Sequence, residues 1–211
     1  MSDPPTDSPA DRSAEWHAYY VATEGRPPRR TVLFALDLFG AAGPAMHAAD
    51  LGCGDGRDTI ELLRRDWSVI AIDAAPEAIA RLRRRADLPH AARLDARCGK
   101  FEDENWGRVE LVNASFALPL CPPHVFPALW RKIGASLSAG GRFAGQLYGP
   151  RDSWAQPRPK RQALTIFDAA AVRALFADYT IELLEEEESA GVTLRGTSKH
   201  WHIFHICARK N

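Results

Sequence analysis

Short, solid apolar runs alternate along this chain with amphipathic stretches. The runs Ala48–Leu51, Trp67–Ile72, Arg93–Cys98, Val109–Ala114, Arg142–Leu147, Tyr179–Leu184 and Lys199–Ala208 read as strands. Between them, apolar residues recur at helical spacing: Val32, Leu36 and Phe39; Ile60, Leu63 and Trp67; Ile79, Leu82 and Ala86; Phe126, Leu129, Trp130, Ile133 and Leu137; Val172, Leu175 and Phe176. Trp16, Tyr19 and Tyr20 form an aromatic cluster on a short helix near the start. Gly25-Arg26-Pro27-Pro28 breaks the chain before the next helix, Pro76 starts another, and Asp168 suits the cap of a third. Ala139-Gly140-Gly141 reads as a tight turn, and Gly191–Gly196 as a turn or short hairpin. Strands alternating with helices predict a mostly parallel sheet covered on both faces. The last run, Lys199–Ala208, is largely apolar at both even and odd positions, which predicts a strand inside the sheet rather than at its edge.

With 211 residues, 45% hydrophobic and 26% charged, the chain has the composition of one globular domain with a full core. Residues 1–12, rich in Pro, Ser and Asp, are expected to be disordered or loose. The domain then spans 13–211, with 13–45 a helical cover and 46–211 the core. A formal net charge of zero gives no global pull toward nucleic acid or a membrane surface. No apolar run approaches the ~18 residues of a spanning helix. The N-terminus lacks the apolar segment of a signal peptide. Cysteines 53, 98, 121 and 207 show no CxxC spacing, so they read as reduced thiols in a cytoplasmic protein.

The chemistry concentrates in Ala48–Asp73. A strand enters Gly52-Cys53-Gly54-Asp55-Gly56, a helix follows at once, and the second strand ends on Asp73. Glycines allow a sharp turn and a close backbone approach to a ligand. An acid about 20 residues on, at the tip of the second strand, stands where a ribose diol is held. A dinucleotide loop reads G-x-G-x-x-G. Here the third glycine comes one residue early, Arg57 takes the place of glycine, and Asp50, Asp55 and Asp58 would repel a pyrophosphate. A sulfonium ligand with an ammonium group meets no such repulsion.

Led by Asp50, the loop D-L-G-C-G-D-G resembles motif I of the class I S-adenosylmethionine-dependent methyltransferases. The early Trp-and-Tyr helix, the Leu118–Pro123 loop and the histidine-bearing last strand resemble the tellurite-resistance and thiopurine branch of that class. The resemblance implies an α/β, Rossmann-like three-layer sandwich, with a seven-stranded, mostly parallel sheet and an antiparallel last strand between the fifth and sixth. It implies S-adenosyl-L-methionine as cofactor, contacted by Asp50, Gly52, Cys53 and Gly54. Asp73 would bind the ribose and Ala74 and Phe101 would flank the adenine. Glu102 would stand near its amino group, and Asn113 and Ser115 by the methionine end. Where the family often has Asp, this chain has Lys100.

Ligands of such sheets bind outside the carboxyl ends of the strands. Trp16, Tyr20, Phe116, Tyr148 and Trp154 are therefore the residues expected to line or cover an acceptor pocket. The long Tyr148–Gln162 loop has the length of a lid. Tyr148, His200 and His202 are the candidates for a catalytic base or orienting group, with Asp152 and His124 behind them. A thiolate or chalcogen oxyanion needs no base. His200 and His202 share a strand face that His205 does not, so no metal site is expected. These features point to methyl transfer onto a small molecule: a sulfur, selenium or tellurium nucleophile first, a phenol next. No membrane or nucleic-acid partner is expected. The alternatives are an RNA or protein N-methyltransferase, suggested by Asn113-Ala114-Ser115-Phe116, a nicotinamide oxidoreductase, and a non-catalytic cofactor-binding protein.

Overall fold

A computed structural model describes residues 17–40, 46–156, 163–193 and 196–211. The expectations for residues 1–12, for Trp16 and for the 157–162 end of the long loop lie outside these residues.

A helical segment at 17–23 (α1) leads to α2 (Arg30–Phe39). Then come β1 (His47–Leu51), α3 (Arg57–Arg64), β2 (Ser68–Asp73), α4 (Pro76–Arg84) and β3 (Leu94–Cys98). β4 (Val109–Ala114), α5 (Phe126–Ser136), β5 (Leu137–Tyr148), α6 (Ala169–Leu175), β6 (Tyr179–Val192) and β7 (Ser198–Lys210) complete the order. The seven strands form one sheet, β3-β2-β1-β4-β5-β7-β6. β1 to β5 run parallel, and β7 runs antiparallel between β5 and β6.

Local chemistry explains the helix ends. Pro76 sits in the first turn of α4, where its missing N–H costs nothing. Asp168 caps α6 by accepting from the Ala171 N–H at 2.8 Å. Alternate strand residues feed two cores. Ala49, Leu51, Val112 and Phe143 pack under α5 and α6, against Phe126, Ile133, Val172 and Phe176. Ala48, Val69, Ala71 and Leu111 pack under α2, α3 and α4, against Leu36, Ile60, Leu63 and Leu82. The result is a three-layer sandwich.

Three details differ from the periodicity. The α3 helix ends at Arg64, so buried Trp67 packs from the following turn and not from the helix face. Ala139-Gly140-Gly141 lies within β5, where the pairing with β4 shifts register between Val109 and Leu111; the glycines serve an irregularity in the strand instead of a separate turn. β6 runs on through Glu185–Glu188, because β7 pairs with it residue by residue as far as Val192. The glutamates are spaced along an edge strand, where charge discourages pairing with another chain.

The topological switch falls between β1 and β4. The β1–α3 loop and the segment after β4 therefore sit side by side at the carboxyl edge of the sheet.

Candidate functional site: the carboxyl ends of strands one, two, four and five

Gly52, Gly54 and Gly56 follow β1 with φ of 70°, 57° and 90°. A Cβ on Gly52 would lie 2.5 Å from the Ala117 Cβ, and one on Gly54 would lie 3.3 Å from the Tyr20 ring. Only glycine satisfies both the backbone angle and the approach at Gly52. The loop is tied to the next strand: Gly52 and Cys53 donate to the Ile72 carbonyl at 2.8 and 3.1 Å. Asp73 closes it from below, accepting from the Gly54 N–H at 2.9 Å and the Ala75 N–H at 2.8 Å. A carboxylate has about four acceptor positions, so Asp73 keeps room for further donors. Its carboxyl is held above the usual range, chiefly by burial. New hydrogen-bond donors would reverse that shift.

Beneath the loop lies a buried polar network that joins several of the expected site residues. Asp50 and Asn113 are register partners on β1 and β4. The Asn113 Nδ2 donates to Asp50 Oδ1 at 2.9 Å and to Asp58 Oδ2 at 3.2 Å. Thr59 donates to Asp50 Oδ2 at 2.5 Å, and Ser115 Oγ to Asp58 Oδ2 at 2.6 Å. Asp50 is 2% exposed and Asn113 0%, so neither opens toward a ligand. Burial pushes the Asp50 carboxyl up to about 7, and the Asp58 charge adds to it. Burial likewise raises the Cys53 thiol, which is 7% exposed, with the Asp50 and Asp73 charges adding. Asp58 and Thr59 carry no sequence signal for this role beyond their place on α3.

Phe116 ends the segment after β4 at φ 58°, a left-handed conformation that costs a bulky residue about 1–3 kcal/mol. It is held by its N–H donating to Gln146 Oε1 at 3.1 Å, while Gln146 Nε2 donates to Thr31 at 2.9 Å. Such strain clusters at functional sites. Around Phe116 stand Tyr148, with ring centroids 6.2 Å apart, and the Arg29 guanidinium, 4.5 Å from the ring centroid. Tyr148 in turn meets Trp154 at 6.1 Å. Lys199, buried in β7, places its ammonium 4.1 Å from both the Trp154 and Trp201 centroids and pairs with buried Asp152. Asp152 also accepts from the Trp154 N–H at 2.8 Å. This ion pair thus pins the loop that carries Trp154.

The remaining expected residues are placed as follows. Ala74 is exposed beside Asp73, and Phe101 is half-buried, its Cε1 3.8 Å from a Cβ built on Gly52. The Glu102 carbonyl accepts from Lys132 Nζ at 2.7 Å, while its side chain is half-buried. His200 Nε2 lies 2.9 Å from Glu188. The His202 Nδ1 accepts from the Arg151 N–H at 3.1 Å, so its proton sits on Nε2, 2.8 Å from Glu186. Both histidines are engaged across β6 and β7. Among the described residues, no group of three or more His, Cys, Asp or Glu is placed to hold a metal ion, and no helix is long and apolar enough to cross a membrane.

Tyr20 is 2% exposed and roofs the glycine loop. Its hydroxyl is raised by burial first and by the Asp73 charge next, which places the two groups within electrostatic reach. α1 docks onto α4 through His17 and Glu77, 2.5 Å apart.

Residues 48–141 match the family model described as a methyltransferase domain. An uncharacterized methyltransferase of Synechocystis is 31% identical over 106 residues, covering 49% of this chain and 48% of that protein. The chain thus aligns with about half the length of this curated relative. Among solved structures, TehB from Haemophilus influenzae superposes with a TM-score of 0.72 at 14% identity, covering 93% of this chain and 67% of the other. The 1,6-didemethyltoxoflavin-N1-methyltransferase of Burkholderia thailandensis, with bound 1,6-didemethyltoxoflavin and S-adenosylhomocysteine, gives 0.62 at 19% identity, covering 100% and 93%. These likenesses establish the Rossmann-like methyltransferase fold.

Proposed function

We propose that this chain, which carries a methyltransferase domain over residues 48–141, transfers a methyl group from S-adenosyl-L-methionine to a small soft nucleophile. The observation that carries the reading is the cradle of Gly52 and Gly54 closed by Asp73, whose carboxylate retains open acceptor positions at the tip of β2. Two ribose hydroxyls are the donors that such a carboxylate takes. Bound there, S-adenosylmethionine supplies an electrophilic methyl on a sulfonium. Phe101 and Ala74 offer the apolar surfaces for an adenine. Asp50 and Asn113 act at one remove: they stiffen the ends of β1 and β4 under the ligand.

Tyr20 covers the loop, so a nucleoside enters when α1 swings away from α4, and closure afterwards expels water. Phe116, Tyr148 and Trp154 give the acceptor side an aromatic wall. Such a wall suits a sulfur, selenium or tellurium nucleophile, or a phenol. A thiolate or chalcogen oxyanion brings its own lone pair, which agrees with His200 and His202 being engaged elsewhere. The RNA or protein N-methyltransferase alternative needs Asn113 to face the acceptor, whereas its amide is buried among Asp50, Asp58 and Ser115. A cytoplasmic setting belongs to the same proposal and is supported by four free cysteines.

The test is a labelled-methyl screen over thiols, selenite, tellurite and phenols, with total RNA as contrast. Label on a small acceptor supports the reading. Label on RNA or protein alone overturns the acceptor class, and no label with no S-adenosylhomocysteine binding overturns the whole.

A further inference from the structure

Arg29 and Arg57 are both tied into the segment that precedes α2, beside the start of α3. The segment from α1 to α2 is laced to the start of α3: Arg57 Nε donates to the Pro27 carbonyl at 2.5 Å, and the Arg29 backbone N–H donates to Asp58 Oδ1 at 2.8 Å. Arg29 Nη2 reaches the Tyr19 hydroxyl at 3.5 Å while its guanidinium lies over Phe116. Arg57 Nη1 is buried and has no acceptor among the described residues. Other arginines nearby are matched: Arg30 pairs with Glu185, Arg65 with Asp37, Arg81 with Glu77 and Arg85 with Asp87. Among the described residues, Arg26, Arg29 and Arg57 pair with no acid. The nearest carboxylate, Asp58, is taken by the Arg29 backbone, Ser115 and Asn113.

A buried guanidinium nitrogen without an acceptor is costly, and like charges within electrostatic reach repel. The Arg57 charge is in fact disfavoured, first by burial and then by Arg29, and Asp58 offsets only part of this. Both costs fall when an anion binds there, because a guanidinium matches the geometry of a carboxylate or oxyanion.

We propose that Arg29 and Arg57 form an anion-binding site at the reacting end of the cleft, filled by a carboxylate or small oxyanion that one of the two reactants carries. The inference rests on the methyltransferase reading for the identity of those reactants. Stacking on Phe116, beside Tyr148, favours the acceptor as the source; the amino-acid carboxylate of the cofactor offers the same chemistry. With the acceptor as the source, the site selects acidic acceptors over neutral ones of equal nucleophilicity.

Calorimetry on the full chain tests this with Arg29→Ala, Arg57→Ala and the charge-keeping Arg29→Lys, each first checked for an unchanged melting midpoint. The probes are S-adenosylhomocysteine, 5′-methylthioadenosine (which lacks the amino-acid carboxylate), 3-mercaptopropionate and 2-mercaptoethanol. If the acceptor supplies the anion, Arg29→Ala loses 3-mercaptopropionate by roughly tenfold to a hundredfold while both adenosyl compounds bind as before. If the cofactor supplies it, S-adenosylhomocysteine weakens by that factor and 5′-methylthioadenosine does not. Equal binding of every probe by wild type and alanine variants overturns the site, as does a wild type that prefers neither anion to its neutral counterpart. Should the wild type bind neither adenosyl compound, the methyltransferase reading falls, and the two thiols alone decide the anion site. Arg29→Lys separates charge from fork geometry by recovering part of the lost affinity. Where Arg57→Ala lowers the melting midpoint, Arg29→Ala decides.

Discussion

The two halves of the sheet are built on different principles. The half formed by β3, β2, β1 and β4 offers a ligand mostly backbone: three glycines at positive φ, one carboxylate, and a buried network that holds both strand ends. The half formed by β5, β7 and β6 offers side chains: Tyr148, Trp154 and Trp201 around a ring-enclosed Lys199, with acid–histidine pairs along the outer edge. The first half holds most of the stretch that matches the methyltransferase family. A backbone cradle fits any ligand of one shape and admits little variation. A side-chain wall is held by pairs that can be exchanged one at a time, so it is where an acceptor's identity is set.

The largest expected effect breaks the second half. Lys199→Ala leaves Asp152, whose side chain is 0% exposed, as an uncompensated buried charge. About 3–5 kcal/mol of stability should be lost in urea unfolding. The double change Lys199→Met with Asp152→Asn should recover most of it. A loss below about 1 kcal/mol would mean that the pair behaves as a surface bridge. Binding of S-adenosylhomocysteine to the folded variant should stay near wild type if the halves are independent.

Asp73→Ala is the converse. S-adenosylhomocysteine should bind roughly tenfold to a hundredfold more weakly by calorimetry. Stability should fall by no more than about 1 kcal/mol, the order of a lost cap to the Ala75 N–H. Unchanged affinity would remove the ribose from this carboxylate.

Asp50→Asn sharpens the comparison through pH. The folded protein holds this carboxyl near 7 against 3.8 when free, so between those values the folded state binds the extra proton. Stability from this group is therefore greatest in acid and declines as pH rises from about 4 to about 7. Asp73 and Asp55, also raised by burial, contribute with the same sign. Denaturation midpoints of the variant should show a shallower decline over that window. An undiminished slope would rule out Asp50 as its source.

The smallest effect belongs to the outer edge. Arg151 first, and His200 next, hold the exposed Glu188 carboxyl down to about 2. Its contribution is present above the free value of 4.5 and lost as pH falls toward 2. Glu188→Gln should leave the melting midpoint at neutral pH unchanged within error and alter only the acid limb, and salt should erase the difference. A clear loss at neutral pH would show that the edge pairs hold the β7 wall in place.

The order of strands and helices, the interior position of β7, the Asp168 cap and the glycine loop with Asp73 at the tip of the next strand were all legible in the amino-acid order; that Asp73 accepts from the Gly54 N–H was not. Each rests on a property of one residue or of a short period: apolar spacing, a side chain that caps, a backbone angle only glycine adopts. Strand lengths were less legible, because pairing extends β5 through Gly140 and β6 through four glutamates whatever their local preference. What the tertiary structure alone decided is which polar groups meet. Asp50 faces Asn113 across 63 positions of chain, Gln146 reaches Thr31 across 115, and Lys199 finds Asp152 across 47. Arg29 comes to lie over Phe116 beside an unmatched Arg57 only because α2, α3 and the end of β4 converge at the switch point. Periodicity reports which face of an element is buried. It carries no information about which partner a buried charge finds, since that is fixed by the order in which strands pack into the sheet.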